Sequence, residues 1–591
     1  MEKLTRFYKE EKDKLEIELK AVKNKLANLS ILRLIVFLGT SFGIYFLFDT
    51  LRIVGVIGAV GVIVFGILLI KYLDAKESKI LLITKIKINE TEIRVLEGDF
   101  SFLKTGEEFI DPTHVYSNDI DLFGRGSFFQ YINRTSTKQG AKELAKTITE
   151  NHILSIDKKQ EVLKELSQKV AWRQHFSALA SLVTTRYSTK EILDFIQNYS
   201  AVFSTIVSKL PTVFSLVSIV LIALVSFAII PFSILILWVF IGLGITALFF
   251  KKTQEIYVRA DKAKATFKQY YLLLQEIENR KFSSAKLQEK QQIIQSEKLQ
   301  ASVIFKQFSK ILDAFDQRNN LLIAFVGNAF FLWDLRNAVQ VEIWITNYKH
   351  TVKKWFEVIA FFDAQNSLAN FQYNHPEYTF PKVQKQDAII KAVGLGHPLL
   401  NSEKRIDNDF NIYDQEFFIV TGANMAGKST FLRTVSLSIV MANVGLPVCA
   451  KSYIYSPVKL ITSMRTSDSL ADDESYFYSE LKRLKFIVDT IDKDDYFIIL
   501  DEILKGTNSK DKAIGSKKFI EKLVSSKSTG IIATHDVSLC ELATDFSEIK
   551  NYYFDAEISN DELYFDYKFK EGICQNMNAS FLLKKMEIVE D

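Results

Sequence analysis

Forty consecutive residues, 211 to 250, carry no charged side chain: PTVFSLVSIVLIALVSFAIIPFSILILWVFIGLGITALFF. A helix laid on a soluble core shows a polar stripe along its outer face, and this run shows none, which argues against a buried core helix. Its length is about twice the roughly 20 residues that cross a bilayer, and Pro231 stands at its midpoint, so it reads as a transmembrane helical hairpin. A second pair lies upstream. LIVFLGTSFGIYFLF at 34 to 48 and IVGVIGAVGVIVFGILLI at 53 to 70 are separated only by Asp49, Thr50, Leu51 and Arg52, which leaves room for a tight turn and nothing more. Four transmembrane helices are therefore expected, with glycines in the second helix that let neighbours approach closely.

The flanks set the orientation. Eight Lys or Arg occupy the first 30 residues, Lys71, Lys76 and Lys79 follow the first hairpin, and Lys209, Lys251 and Lys252 bracket the second. The intervening turns hold Arg52 and no other cation. The positive-inside rule then predicts a multi-pass protein of the inner (cytoplasmic) membrane with every soluble segment in the cytoplasm. A cleaved signal peptide fits poorly, because 30 mixed-charge residues precede the first apolar run. Cys449, Cys540 and Cys574 are scattered without metal-type or disulfide-type spacing, which suits a reducing compartment. A net charge of +4 over 591 residues is too small to argue for a nucleic-acid partner by itself.

The soluble remainder carries a phosphate-binding pattern. In TGANMAGKST, 421 to 430, Gly422, Gly427, Lys428 and Ser429 fit G-x-x-x-x-G-K-[ST]. The apolar run EFFIV at 416 to 420 precedes it, and a helix beginning near Lys428 follows, so the context is strand, loop, helix. The loop residues Gly422, Ala423, Asn424, Met425, Ala426 and Gly427, with Lys428, Ser429 and Thr430, are the expected nucleotide-binding set. Amides at the helix start would face a triphosphate, Lys428 would neutralise its β- and γ-phosphates, and Ser429 would offer a hydroxyl to Mg²⁺. Two further apolar strands end on reactive groups. DYFIILDEI, 495 to 503, ends on Asp501, expected to hold Mg²⁺, and Glu502, expected to orient the attacking water; GIIAT, 530 to 534, leads to His535, placed to sense the γ-phosphate. A solvated turn or a helix cap would explain each of these singly, but not all three in this order.

TGANMAGKSTFLRTV, MANVGLPVCA, SYFYSEL at 475 to 481, LDEILKGTNSKD at 500 to 511 and ATHD at 533 to 536 resemble the ATPase core of the MutS family of DNA mismatch-repair proteins. GLGHPLL at 394 to 400 resembles the start of that ATPase domain, IAFFDAQNSLANF at 359 to 371 the helix before it, and residues 119 to 148 the start of the family's core domain. The resemblance runs from about 115 to 591 and is strongest in the last 200 residues. Ala423 and Ala426 stand where proline and glycine are usual, and Lys505 where arginine is usual; none of these removes a catalytic group. The resemblance implies an ATP- and Mg²⁺-dependent homodimer in which Ser475 reaches the partner's γ-phosphate. A helix cap is the alternative role for Ser475.

The expected fold is thus an α/β P-loop, ABC-like ATPase domain at the C-terminus, preceded by an all-α lever and core region with two transmembrane hairpins. Its expected segments are an N-terminal cytosolic helix (1–30), hairpin 1 (31–72), a linker helix (73–115), the first part of the core (116–208), hairpin 2 (209–252), lever and core helices (253–374) and the ATPase domain (375–591). The family's mismatch-recognition domain precedes its core, and here that space is taken by hairpin and linker; RFYKEE at 6 to 11 has Lys9 where the Phe-x-Glu wedge needs Glu. Two readings follow from this: a membrane-anchored ATPase related to mismatch repair or DNA binding, and an ATP-driven membrane machine acting on a non-DNA partner. An ABC-type transporter is a weaker reading, since no Leu-Ser-Gly-Gly-Gln stands between Ser429 and Asp501.

Overall fold

The computed structural model describes residues 2–183, 188–295, 297–384, 388–465, 476–491, 493–559 and 562–575. A mostly helical N-terminal region is followed by an α/β C-terminal region. The chain divides into two compact units that interleave along it. One comprises Met1–Ile93, Ser136–Gly140 and Ala171–Asp363; the other comprises Arg94–Thr135, Ala141–Val170 and Ala364–Asp591.

In the first unit the apolar runs and their charged extensions are single uninterrupted helices. Glu2–Phe46 and Leu51–Leu96 form an antiparallel pair joined at Thr50, whose N–H donates to the Leu47 carbonyl at 2.9 Å. Lys12 pairs with Glu90 at 3.0 Å, the Arg33 guanidinium lies 3.9 Å from the centre of the Tyr72 ring, and a methyl group on Gly61 would collide with Thr40. The helix expected over 73–115 ends earlier, at Leu96. Gly98, at φ 95°, donates to Val95, and Asp99 N–H reaches back to the Arg94 carbonyl, a glycine-type stop that the sequence EGD supplies.

The second apolar run breaks where Pro231 predicts. Thr205–Ser226 ends, Ala228 turns through φ 55°, and Pro231 caps Phe232–Glu278, a helix of 47 residues. Its charged half packs on Ala301–Asp316 and Trp333–Tyr348 through an aromatic cluster. Phe267 stands 4.7 Å from Phe305 and from Phe308 and 5.3 Å from Trp344, ring centre to ring centre, and Trp344 stacks on Phe308 at 3.9 Å.

The second unit is built on a six-stranded sheet. Its strands are β4 (Phe417–Gly422), β6 (Lys459–Ser463), β7 (Tyr496–Asp501), β8 (Thr529–Ala533), β9 (Ile549–Phe554) and β12 (Lys570–Glu571), in the order β12-β9-β4-β8-β7-β6. All neighbours are parallel except β12 against β9. Every residue of β4 is buried, as a central parallel strand covered on both faces requires. A four-stranded sheet of β1 (Lys382–Val383), β5 (Ser452–Tyr455), β2 (Ala388–Leu395) and β3 (Asn408–Tyr413) lies in the same unit, with a small hairpin of β10 (Glu557–Ser559) and β11 (Glu562–Tyr564).

The open edge at β6 is covered by residues 111–123. Thr462 N–H donates to the Val115 carbonyl at 3.0 Å, and the buried Asp119 carboxylate accepts from the Thr462 hydroxyl, from Met464 N–H at 3.1 Å and from Arg465 N–H at 3.0 Å. Arg483 ties the same segment down, donating to the Val115 carbonyl at 2.6 Å. Replacing Asp119 by alanine strands two buried donors, on Thr462 and Met464, and a part-buried one on Arg465, so Asp119→Ala should lower unfolding stability by about 2–5 kcal/mol. Thermal unfolding in detergent measures it, and an unchanged midpoint would show that the clamp carries no weight.

Candidate functional site

Parallel register brings the sequence-predicted groups together. Val420 and Asp501 both lie opposite Ala533, so β4, β8 and β7 end side by side at their C-terminal edge, where open α/β sheets bind ligands. The loop 423–427 leaves β4 at that edge, and the helix Lys428–Val444 starts from it, as the strand, loop and helix pattern requires. Two glycines make the loop possible. Gly422 has φ 147° and Gly427 φ 104°; a side chain on Gly422 would strike the Phe554 carbonyl, and one on Gly427 would come within 3.0 Å of the Tyr567 ring.

Lys428 is buried, and its ammonium is gripped by the loop itself. Nζ donates to the Gly422 carbonyl at 2.7 Å and the Ala423 carbonyl at 2.9 Å, and lies 3.4 Å from His535 Nε2. Burial pulls the Lys428 pKa below the usual lysine value, while Glu502 and Asp501 oppose that shift. Ser429 donates its hydroxyl to Asp501 Oδ2 at 2.6 Å. Burial raises the Asp501 pKa, and the Ser429 hydrogen bond counteracts it.

Glu502 stands at φ 50°, a left-handed conformation held by its N–H bond to the Ala533 carbonyl at 2.9 Å. That twist aims its carboxylate at His535, with Oε1 2.7 Å from Nε2, and Lys505 Nζ lies 3.7 Å from the other oxygen. The hydrogen bond from His535 holds the Glu502 carboxyl down at about 2 despite partial burial. The group is therefore a fixed anion rather than a base poised near neutrality.

These residues line one cavity of about 630 Å³. Asn424, Met425, Thr430 and Lys505 share it, with Ala423 and Gly427. Ala426 is buried beneath the loop. Ser475 lies outside the described residues. Sequence reasoning missed the cavity's other wall: His397, Arg405 and Tyr567 line it too. Tyr567 comes from a segment latched by Asn408, whose Nδ2 donates to the Tyr567 carbonyl at 3.0 Å while Phe569 N–H donates to its Oδ1 at 2.9 Å. No local pattern announces that approach, although GLGHPLL does place His397 in a stretch already singled out. Among the described residues no cluster of three or more His, Cys, Asp or Glu could hold a metal alone. The Ser429–Asp501 pair could do so only with oxygens from a ligand, which is the usual arrangement for Mg²⁺ on phosphates.

A family profile described as MutS domain V matches residues 418–587. The chain is 30% identical over 239 residues to the DNA mismatch repair protein MSH4 of Arabidopsis thaliana, covering 39% of this chain and 30% of that protein. It is 29% identical over 238 residues to the DNA mismatch repair protein MutS of Fervidobacterium nodosum, covering 39% and 28%. To the human MutS protein homolog 4 it is 28% identical over 257 residues, covering 41% and 26%. The chain thus matches less than a third of the length of each of these relatives.

The Glu502–His535 geometry has a pH signature. A carboxyl depressed from 4.5 to about 2 contributes stability that is complete above pH 4.5 and lost as pH falls toward 2. The difference in thermal midpoint between the wild type and Glu502→Gln should therefore stay flat from about pH 7 to 5 and shrink below about 4.5. A difference that stays unchanged below about pH 4.5 would show that the Glu502 carboxylate carries none of this stability.

Proposed function

Because the chain belongs to the MutS family through its C-terminal domain, we propose that it is a membrane-anchored ATPase of that family, working as a homodimer. The observation that carries this reading is the convergence of Lys428, the Ser429–Asp501 pair and the Glu502–His535 pair at the ends of three adjacent parallel strands. The cavity fits a nucleoside triphosphate: its loop is too tight for side chains at Gly422 and Gly427, and its cation is already held against oxygen atoms. On binding ATP, Lys428 exchanges the partial charge of two carbonyls for the full charge of the β- and γ-phosphates. Ser429 and Asp501 supply hard oxygens for Mg²⁺, which neutralises phosphate charge when bound. Glu502, ionised and aimed, orients water for attack on the γ-phosphorus, and the low pKa makes orientation its role in preference to proton abstraction. Ser475 completes the partner's site.

Membrane anchoring rests on four helices, among the described residues, that are long and apolar enough to cross a bilayer, whose most apolar windows bury only 0, 11, 22 and 6% of their residues within the protein. Such exposure in water would be an extended aggregation surface. The inner membrane, with soluble segments in the cytoplasm where ATP is available, follows from the flanking lysines and arginines. The names of the relatives carry mismatch repair, so duplex DNA is the partner we propose first. The exposed apolar helices favour a second reading, an ATP-driven machine working on a membrane partner. Binding to duplex DNA that weakens steeply with salt separates the two.

Lys428→Ala should abolish nucleotide binding, whereas Glu502→Gln should bind ATP normally and hydrolyse it about 10²–10³-fold more slowly. Filter binding and single-turnover hydrolysis measure both. Near-normal turnover by Glu502→Gln would remove the water-orienting assignment. Ser475→Ala, mixed with Lys428→Ala subunits, tests the reach across the dimer: the heterodimer should keep hydrolysis at its one intact P-loop if the serine acts in trans, and lose it if the serine acts within its own subunit.

A further inference from the structure

The helix Leu321–Phe331 belongs to none of the four long apolar helices, yet nothing from Asn319 to Trp333 is charged. Its faces differ. Gly327, Asn328 and Ala329 are buried, while Leu321, Leu322, Phe325 and Val326, spaced as one helical face, are 87, 76, 56 and 46% exposed. The buried face lies against the spanning helix Phe232–Glu278 so closely that a methyl group on Gly242 would collide with the Ala329 carbonyl. Gly242 lies 8 residues inside the Phe250 end of the uncharged run, about 14 Å along the helix axis from the first of the two lysines at 251 and 252. A helix touching Gly242 is at the depth of acyl chains, not of water.

We propose that Leu321–Phe331 is seated in the cytoplasmic leaflet of the bilayer, with its Leu321, Leu322, Phe325 and Val326 face against lipid. The proposal rests on the reading that Phe232–Phe250 spans the membrane. At 11 residues the helix is about 16 Å long, half of the roughly 30 Å hydrocarbon core, so it enters one leaflet and does not cross. Lipid is favoured over a second copy of the chain because the spanning helix beside it likewise exposes large apolar side chains, Phe240 and Ile241, at the depth of Gly242.

Backbone in hydrocarbon must be satisfied by protein, and both ends of this helix are. The Asn320 side chain accepts from Leu322 and Ile323 N–H. At the other end Leu332 adopts φ 47° and the chain bends by 80° into Trp333–Tyr348. Protein groups close the bend: Asp334 N–H donates to Asn328 Oδ1 at 2.9 Å, and Trp333 Nε1 donates to the Ala314 carbonyl at 2.9 Å. Arg318 and Asp334, both nearly buried, pair at 3.1 Å and pin the start of the helix to its exit. The following helix carries Trp344 into the aromatic cluster, so the bundle is fastened to the leaflet at a point separate from both hairpins.

The test uses full-length protein with Cys449, Cys540 and Cys574 changed to alanine, reconstituted in phosphatidylethanolamine–phosphatidylglycerol vesicles. Single-cysteine variants Leu322→Cys and Phe325→Cys carry an environment-sensitive fluorophore; Phe240→Cys reports the spanning helix and Val303→Cys the water-facing bundle. Labels at 322 and 325 should be quenched by lipids bearing a nitroxide near the headgroup end of the chain, and several-fold less by aqueous iodide than the label at 303. Quenching by iodide at 322 and 325, with lipid quenching intact at 240, overturns the inference and leaves the spanning hairpin standing. Shielding from both quenchers that is lost on dilution into excess lipid assigns the face to a second copy and also overturns it. Loss of lipid quenching at 240 itself defeats the membrane reading beneath it.

Discussion

Parallel register between β4, β8 and β7 is the constraint on which the reactive chemistry depends. Lys428, Asp501 and His535 are separated by 73 and 34 residues along the chain, and none could find the others through local structure. Pairing Val420 and Asp501 to the same residue, Ala533, puts all three strand ends in one row. A slip of one residue in any of these strands would turn its terminal side chains to the opposite face of the sheet. The complete burial of β4 guards against that slip, since a shifted register would still have to fill both covered faces.

Within that row the charges are arranged as a chain rather than as isolated groups. His535 touches both the Lys428 ammonium and the Glu502 carboxylate, and Ser429 bridges from the helix start to Asp501. Each anion is thereby held by a donor from a different element. Glu502 shows what this arrangement achieves: its left-handed backbone is strained for a non-glycine residue, and the hydrogen bond to Ala533 and the pair with His535 keep it there.

Groups in continuous motifs were legible in the sequence. Gly422, Gly427, Lys428 and Ser429 sit in one loop whose chemistry depends on spacing alone, and Asp501, Glu502 and His535 each follow a short apolar run that can only be a strand. Tyr567 was not legible, because it reaches the cavity through a latch on Asn408, a contact across 159 residues. Asp119 was read as the opening of a helical core segment, yet its carboxylate is spent on capping a β-sheet edge from more than 300 residues away. The bend at Leu332 has no signal either, since a leucine at φ 47° is chosen by the Arg318–Asp334 pair and the Trp333 contact, not by its own preference. Composition did mark the long apolar runs. It could not reveal that Glu2–Phe46, Leu51–Leu96 and Phe232–Glu278 each carry an apolar run and its charged extension without a break.

That continuity has a mechanical consequence. A helix leaving an apolar solvent for water needs no change in its backbone hydrogen bonds, because every bond is internal to it. On the proposed membrane reading, Phe232–Glu278 would make that passage within one helix of 47 residues, about 70 Å at 1.5 Å per residue, with the uncharged run at one end and the Phe267 cluster along the other. Among its residues there is no proline, and Gly242 and Gly244 both fall within the apolar half. Bending at the solvent boundary would therefore require breaking hydrogen bonds where no sequence feature weakens them. A displacement of the aromatic bundle is more cheaply accommodated as a tilt of the whole helix, and Gly242, pressed against the Ala329 carbonyl, would carry the tilt into the short helix beside it.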